Sequence, residues 1–127
     1  MDSETFGVSA VHFYFMKSEI PFTGWKDSIL LILGRRVGFE VSGDSMLPTF
    51  KTGDRVLIDP KAKVAVGDIV LANHPYKKSV RMIKRITSID SNANYFLAGD
   101  NKADSTDSQT FGKIPAKGIL GKVVSRK

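Results

Sequence analysis

Two residue types in this sequence are suited to doing chemistry together: a serine in a turn and a lysine in an apolar strand. Ser45 lies within the segment VSGDSMLPT (41–49), where a glycine and a proline force the chain to bend around it. A serine in a turn most often only hydrogen-bonds nearby backbone groups. Ser45 therefore needs a partner that can take its proton before it is interpreted as a nucleophile.

The segment VRMIKRIT (80–87) contains a candidate partner, Lys84. Side chains alternate along a strand, so Lys84 is expected to share an apolar face with Met82 and Ile86, while Ile83 lies on the opposite face. A lysine on an apolar face either extends its ammonium group to solvent at the sheet edge or is buried with that group partly desolvated. The sequence leaves both alternatives open.

Burial determines whether Lys84 can act as a base. With the ordinary lysine pKa of about 10.4, only about one molecule in 2,500 is neutral at pH 7. A pKa lowered to about 7.5 makes roughly a quarter of the molecules competent, at a cost of about 4 kcal/mol in folding stability. Because serine and lysine form a known variant of the nucleophile and base pair, a buried Lys84 is suited to activating Ser45.

Composition excludes several other kinds of site. The 127 residues contain no cysteine, which excludes disulfides, thiol catalysis and cysteine-ligated metals. The two histidines, His12 and His74, lie far apart and have no carboxylate at ligand spacing. We therefore expect no metal, no cofactor and no Ser-His-Asp triad.

The net charge of +6 favours anionic partners, but the pattern of basic residues does not support nucleic-acid binding. The 19 lysines and arginines are scattered along the chain and show neither zinc-finger spacing nor an RNP signature. We expect a solvated basic surface and no nucleic-acid partner.

The elements that must position Ser45 and Lys84 are predicted to be short antiparallel strands. After Gly38, β-branched runs alternate with turns that contain glycine, proline and asparagine, and the length of the chain allows one hydrophobic core. The repeated strings GDRVL and GDIVL each indicate a turn followed by a strand. We expect an N-terminal arm and helix over 1–37 and a catalytic β domain over 38–127. Strands are predicted at 39–42, 55–59, 68–72, 80–89, 94–98 and 119–124.

Apolar residues between Pro21 and Leu33 predict one short amphipathic helix, with Gly34 as its stop signal. A helix with a tryptophan, several leucines and flanking arginines can lie in a membrane interface, but we favour packing on the β domain. No run approaches the roughly 20 apolar residues that span a bilayer, and acidic residues near the N-terminus argue against an export signal. We therefore expect a cytoplasmic protein, with peripheral membrane contact through residues 21–33 as the alternative.

Four sequence boxes, in order, resemble those of the type I signal peptidases. The string SMLPT (45–49) is similar to their S-M-x-P-T box, and GDIV (67–70) to their G-D-I/V-V strand. The string KRI (84–86) is similar to their K-R-V/I strand, and residues 99–112 to their G-D-N-x3-S-x-D-S-x-x-F/Y-G box. The resemblance implies a mainly β fold: a compact antiparallel domain of the signal peptidase and LexA C-terminal type, preceded by the short helix.

The resemblance also implies a role for each residue of a catalytic site. Ser45 attacks the scissile carbonyl, and Lys84 takes the serine proton and later gives it to the leaving amine. Ser105 hydrogen-bonds the lysine and Asp107 braces the site. Gln109 stands where the family usually has arginine, so an ion pair with Asp107 is absent or replaced.

Residues around Ser45 are implied to bind the oxyanion and the substrate. Gly43 stands where some members of the family direct a serine hydroxyl at the oxyanion, so the backbone N–H of Ser45 is expected to carry most of that role. Asp44, Met46 and Pro48 are expected to contribute to the same oxyanion and substrate site.

The substrate expected from this resemblance is a precursor protein with a cleavable N-terminal leader. Signal peptidases generally carry a transmembrane anchor, which we do not find here. The string GRR (34–36) leading into 43–49 is more similar to the anchor-less proteases that mature nickel-type superoxide dismutase. The resemblance therefore predicts a serine endopeptidase that removes the leader of a nickel-type superoxide dismutase precursor.

Three alternatives stay open. The first is signal peptidase I-like processing of secretory preproteins. The second is self-cleavage of the LexA or UmuD type, although no Ala-Gly or Cys-Gly bond precedes Ser45. The third is a non-catalytic basic β domain that binds nucleic acid or lipid, which would leave the four boxes unexplained.

Overall fold

A seven-stranded antiparallel sheet forms most of the molecule, as seen in a computed structural model that describes residues 20–103 and 111–126. The strand order is β1-β2-β7-β3-β4-β5-β6, and every neighbouring pair is antiparallel. This confirms the prediction of a mainly β, antiparallel domain preceded by one short helix. The elements are α1 (Trp25–Ile32), β1 (Val37–Glu40), β2 (Arg55–Asp59), β3 (Ile69–Asn73), β4 (Arg81–Ile89), β5 (Asn94–Ala98), β6 (Ile114–Pro115), a 3-10 turn (Ala116–Gly118) and β7 (Ile119–Arg126).

The strands lie close to where the sequence pattern predicts them. The strands at 55–59 and 94–98 have the predicted bounds, and the other four predicted strands lie within two residues of their expected positions. The sequence does not predict β6, because two residues are too few to show alternation.

Two apolar clusters, one on each face of the sheet, fix the central strands. In β3, Ile69 and Leu71 belong to a cluster around Met46 and Phe50, while Val70 and Ala72 belong to a cluster around Phe111 and Leu97. We call these the Met46 cluster and the Phe111 cluster. This alternation places successive residues of a strand in opposite cores.

The two-sided core corrects one expectation about β4. Met82 and Ile86 pack in the Phe111 cluster, but Ile83 on the opposite face is equally buried, in the Met46 cluster. The sequence pattern places Lys84 on the apolar face of β4, and the structure shows that the opposite face is apolar at Ile83 as well. Strand β4 has apolar neighbours on both sides, as strands covered on two faces generally do.

Helix α1 is shorter than predicted because the residues before it are held by β7. Phe22 forms a bridge with Arg126, and the Thr23 N–H donates to the Arg126 carbonyl at 2.6 Å. The helix ends as predicted: Gly34 has φ +80° and its N–H donates to the Leu31 carbonyl, while the next N–H donates to the Leu30 carbonyl. This is the Schellman arrangement of a helix C-terminus.

The apolar side of α1 is exposed. Trp25, Ile29 and Ile32 are 70%, 47% and 83% exposed, and no residue of the helix is buried. The expectation that these side chains pack on the β domain is wrong. Among the described residues, no helix has both the length and the apolar character needed to cross a bilayer.

Candidate active site

The loop between β1 and β2 carries Ser45 and is anchored by its neighbours. Met46 and Phe50 are each 1% exposed and pack in the Met46 cluster, while Ser45 stays half-buried. The Phe50 N–H donates to the Met46 carbonyl at 2.9 Å, and the Leu47 N–H donates to the Asp44 carbonyl at 3.2 Å. Ser45 is therefore reachable from solvent on a loop that the core holds in place.

Gly43 takes a backbone conformation that other residues adopt only at a cost. Its φ is +84°, in the left-handed region, and a Cβ added there would meet nothing within 4 Å. A serine at this position would be strained by about 1–2 kcal/mol although it would have room. The conformation of the loop, and not a lack of space, is therefore what favours glycine at position 43.

Lys84 is buried. Its side chain is 5% exposed, and the residue pairs with Val70 of β3 in the middle of the sheet. Of the two alternatives that the sequence leaves open, the structure shows the buried one. An amine in such surroundings loses hydration in its charged form, which is the condition under which lysine becomes a base near neutral pH.

Ser45 and Lys84 line the same cavity, which has a volume of about 310 Å³. One wall is formed by β1 and the start of the Ser45 loop, and the other by the first half of β4. Gly43, Asp44 and Pro48 are exposed residues of the loop and are not among the residues that line this cavity. The lining residues are Phe39, Val41, Ser42, Ser45, Met46, Val80, Arg81, Met82, Ile83 and Lys84.

The Asp100 carboxylate connects the Ser45 loop to the strand of Lys84. It accepts hydrogen bonds from Arg85 Nε at 2.9 Å and from Arg85 Nη2 at 3.0 Å, and a short one from the Thr49 hydroxyl. Arg85 Nη1 also donates to the Gly67 carbonyl at 2.7 Å. Thr49 belongs to the loop of Ser45, and Arg85 belongs to β4, the strand of Lys84. The Asp100 carboxylate therefore holds this loop and this strand together.

Asn101 holds the backbone on both sides of Ser45. Its N–H donates to the Ser45 carbonyl at 2.8 Å, and its side-chain Nδ2 donates to the Asp44 carbonyl at 3.0 Å. These bonds fix the two peptide planes that flank the Ser45 side chain.

Arg126 supports the same loop from inside the molecule. It is 8% exposed, its Nη2 donates to the Thr49 carbonyl at 3.0 Å, and its guanidinium lies 4.7 Å from the centre of the Phe50 ring. Stacking of this kind suits the flat guanidinium group of arginine. The C-terminal strand thus takes part in positioning the Ser45 loop.

The sequence profile of the Peptidase S24-like family matches residues 17–124, most of the chain and all of the elements just described except the last residues of β7. The chain belongs to the Peptidase S24-like family. The match confirms that the chain belongs to a protease family, as the resemblance to signal peptidases implies. The match begins well before residue 38, where the sequence pattern changes.

Relatives of this S24-like chain include three mitochondrial proteases. It is 30% identical over 108 residues to mitochondrial inner membrane protease subunit 1 of Xenopus tropicalis, a match that covers 67% of this chain and 65% of the relative. It is 32% identical over 108 residues to the protein of the same name from Schizosaccharomyces pombe, covering 67% of this chain and 69% of the relative. It is 32% identical over 112 residues to mitochondrial ATP-independent inner membrane protease subunit 1a of Arabidopsis thaliana, covering 68% of this chain and 67% of the relative. The chain thus spans about two thirds of the length of these relatives, and none of the three is named a dismutase maturation protease.

Not all of the predicted site of this S24-like chain can be placed. Ser105, Asp107 and Gln109 lie outside the described residues. The end of the same box is described: Phe111 is 4% exposed and packs in the Phe111 cluster, and Gly112 has φ +86°. The proposed hydrogen bond from Ser105 and the bracing role of Asp107 stay predictions.

Sequence reasoning missed Asp100, Thr49 and Arg85 as positioning residues. All three belong to the boxes that indicate the family, so the signal was present. What the sequence could not show is that their side chains meet, because 51 positions separate Thr49 from Asp100.

The Asp100→Asn substitution tests the connecting role of this carboxylate. An amide removes the negative charge and replaces one acceptor oxygen with a donor that faces Arg85, whose side chain is only 18% exposed. We expect the free energy of unfolding to fall by about 2 kcal/mol in urea denaturation, because charge-assisted hydrogen bonds of this kind are worth about that much.

Glu40→Gln serves as the matched control. Glu40 lies 3.8 Å from Arg55, and the two side chains are 62% and 68% exposed, so the loss should stay below about 0.5 kcal/mol. Equal losses in the two variants would show that Asp100 does not connect the loop to β4 in any energetically important way.

Proposed function

We propose that this chain is a serine endopeptidase in which Ser45 is the nucleophile and Lys84 the general base. The observation that carries the proposal is the shared cavity: a half-buried serine and a lysine that is 5% exposed line one pocket, in a chain of a peptidase family. The loop and the strand that carry them are joined through Asp100, which supports a fixed arrangement of nucleophile and base.

In the proposed reaction, neutral Lys84 takes the Ser45 proton as the hydroxyl oxygen attacks the scissile carbonyl carbon. The tetrahedral intermediate collapses, the C–N bond breaks, and the lysine ammonium gives its proton to the leaving amine. Lys84 then takes a proton from water, which attacks the acyl ester and releases the new carboxylate and free Ser45. The same lysine acts as base and then as acid in each half of the reaction, as microscopic reversibility requires.

The backbone N–H of Ser45 is the proposed oxyanion donor. The N–H and C=O of a trans peptide point in opposite directions. The Asp44 carbonyl, in the same peptide plane as the Ser45 N–H, accepts hydrogen bonds from Asn101 Nδ2 and from the Leu47 N–H. These bonds orient the Ser45 N–H before substrate binds, which is the preorganisation that oxyanion stabilisation needs.

We propose that the substrate binds as an extended strand along the cavity. In the described part of the chain, residues 81–84 of β4 pair with β3 on one side, and pairing with β5 begins only at Arg85. Main-chain groups of residues 81–83 on the other edge of β4 are therefore available to a peptide, which would gain hydrogen bonds by β-addition. Gly43, Asp44 and Pro48 would then bind outside the cavity, on the exposed part of the loop.

The proposed substrate class is a precursor protein with an N-terminal leader. The names of the relatives favour a precursor presented at a membrane, and the exposed apolar residues of α1 are suited to lie at such a surface. A nickel-type superoxide dismutase precursor and a cytoplasmic location stay predictions from the sequence resemblance, with no support from the relatives described above. An experiment can distinguish a membrane-presented precursor from a dismutase precursor as the substrate.

Alanine substitutions test the dyad. We expect Ser45→Ala and Lys84→Ala each to lower kcat/KM by about 10⁴-fold or more, and the double variant to be no worse than either, because the two residues act as one unit. Lys84→Arg should be equally inactive, since a guanidinium cannot release its proton near neutral pH. The measurement is cleavage of a leader peptide in solution.

Two controls make the dyad test specific. Lys84→Met keeps the length and volume of the side chain and should be inactive but folded, as checked by circular dichroism and thermal unfolding. Lys113→Ala, which changes a half-exposed lysine paired with Asp90, should keep full activity. Residual activity of Lys84→Met close to that of the unsubstituted protein would exclude Lys84 as the base.

The substrate prediction is tested with two purified precursors, a nickel-type superoxide dismutase precursor and a secretory preprotein. Each is assayed with and without anionic lipid vesicles, and each has a control in which the small residue before the cut is replaced by phenylalanine. We expect the preprotein to be cleaved faster than the dismutase precursor, and its cleavage to be accelerated by vesicles, because α1 would bring enzyme and substrate to one surface. Faster cleavage of the dismutase precursor, independent of lipid, would favour the maturation function instead.

A further inference from the structure

Arg81 lines the active-site cavity together with Ser45 and Lys84. It lines that cavity from β4, three positions before Lys84. Strands rise about 3.3 Å per residue, so the two positions are about 10 Å apart along the cavity wall. This spacing corresponds to about three residues of an extended peptide bound beside β4.

The Arg81 guanidinium lies over an aromatic ring that lines the same cavity. Its central carbon lies 5.4 Å from the centre of the Phe39 ring, which belongs to β1 and lines the same cavity. Stacking occupies the face of the guanidinium and leaves its N–H groups free at the edge, where they can bind a carboxylate. Phe39 thus orients a cation in the cavity before substrate binds.

No carboxylate in the described part of the chain neutralises the positive charge of Arg81. Within residues 20–103 and 111–126, no ion pair involves Arg81. The carboxylate next to Phe39 in sequence, Glu40, is paired with Arg55 instead. The loop that leads into β4 adds two exposed lysines, Lys77 and Lys78, and contains no acidic residue.

We propose that Arg81 is a specificity-determining residue that selects an acidic side chain in the leader, at the fourth residue before the cut. This inference rests on the proposed function, because it concerns the peptide bound in the proposed active site. The leader is the acyl half of the substrate and is bonded to Ser45 as an ester between acylation and deacylation, so we assign the cavity that contains Ser45 to the leader. The third residue before the cut is expected to be small, which makes the fourth the nearest position for a carboxylate.

The test compares two soluble peptides that differ only in glutamate or glutamine at the fourth position before the cut. The readout is the ratio of their kcat/KM values. We expect the unsubstituted enzyme to prefer the glutamate peptide by about threefold at low salt, in keeping with a partly exposed ion pair. The preference should fall towards one in 0.5 M NaCl, since salt screens such pairs.

Substitutions at Arg81 separate specificity from general loss of activity. Arg81→Gln should bring the ratio to about one, and Arg81→Glu should invert it so that the glutamine peptide is cut faster. Arg35→Gln, which removes an exposed arginine that does not line the cavity, should keep the ratio of the unsubstituted enzyme. A second pair of peptides carries the same exchange at the fourth residue after the cut and should show no preference.

The outcomes distinguish this inference from the proposed function. If neither peptide is cut by the unsubstituted enzyme, the proposed endopeptidase function fails. If both peptides are cut with a ratio of one, or if Arg81→Gln keeps the preference, Arg81 is not the selecting residue and the dyad is unaffected. A preference seen only for the exchange after the cut would overturn the assignment of the cavity to the leader.

Discussion

The bonds of the Asp100 carboxylate are the constraint on which the rest of the site depends. Through Thr49 it holds the loop of Ser45, and through Arg85 it holds the strand of Lys84 and the turn at Gly67. Residues from four separate segments of the sequence therefore meet at one partly buried ion pair. A partly buried carboxylate with two charge-assisted partners resists displacement because leaving either partner unpaired is costly. The Ser45 loop and the strand of Lys84 are in this way held together by groups that have no role in the proposed chemistry.

The sheet supplies the environment that a catalytic lysine needs. Because both faces of the central strands are covered, by the Met46 cluster and the Phe111 cluster, Lys84 is enclosed although β4 also carries charged residues. Burying an amine lowers folding stability, and the many apolar side chains of the two clusters offset that cost. Ser45, in contrast, must be reachable by substrate. Its loop is anchored by the buried side chains of Met46 and Phe50, while the serine itself stays half-buried.

The sequence predicts the strands and the exposed turn that carries Ser45 well, since alternation and turn residues are local signals. It does not predict that Ile83 is as buried as Lys84, because a strand covered on both faces loses the contrast that alternation depends on. It misses the meeting of Thr49, Arg85 and Asp100 for a different reason: the contact is set by the closure of the sheet and not by any local pattern. Helix α1 shows a third limit, since an amphipathic pattern indicates an apolar face but not what that face contacts.

The most direct test of the dyad is the pKa of Lys84 itself, measured by NMR on protein labelled with carbon-13 at the lysine Cε. The Lys84 signal is assigned by its loss in Lys84→Met, and its shift is followed from pH 5 to pH 11. The Ser45→Ala variant is titrated in parallel to confirm that the value belongs to the lysine. We expect a Lys84 pKa well below the ordinary lysine value, because only then is enough of the lysine neutral near pH 7 to act as a base. A Lys84 pKa near the ordinary value of about 10.4 would contradict the proposed mechanism.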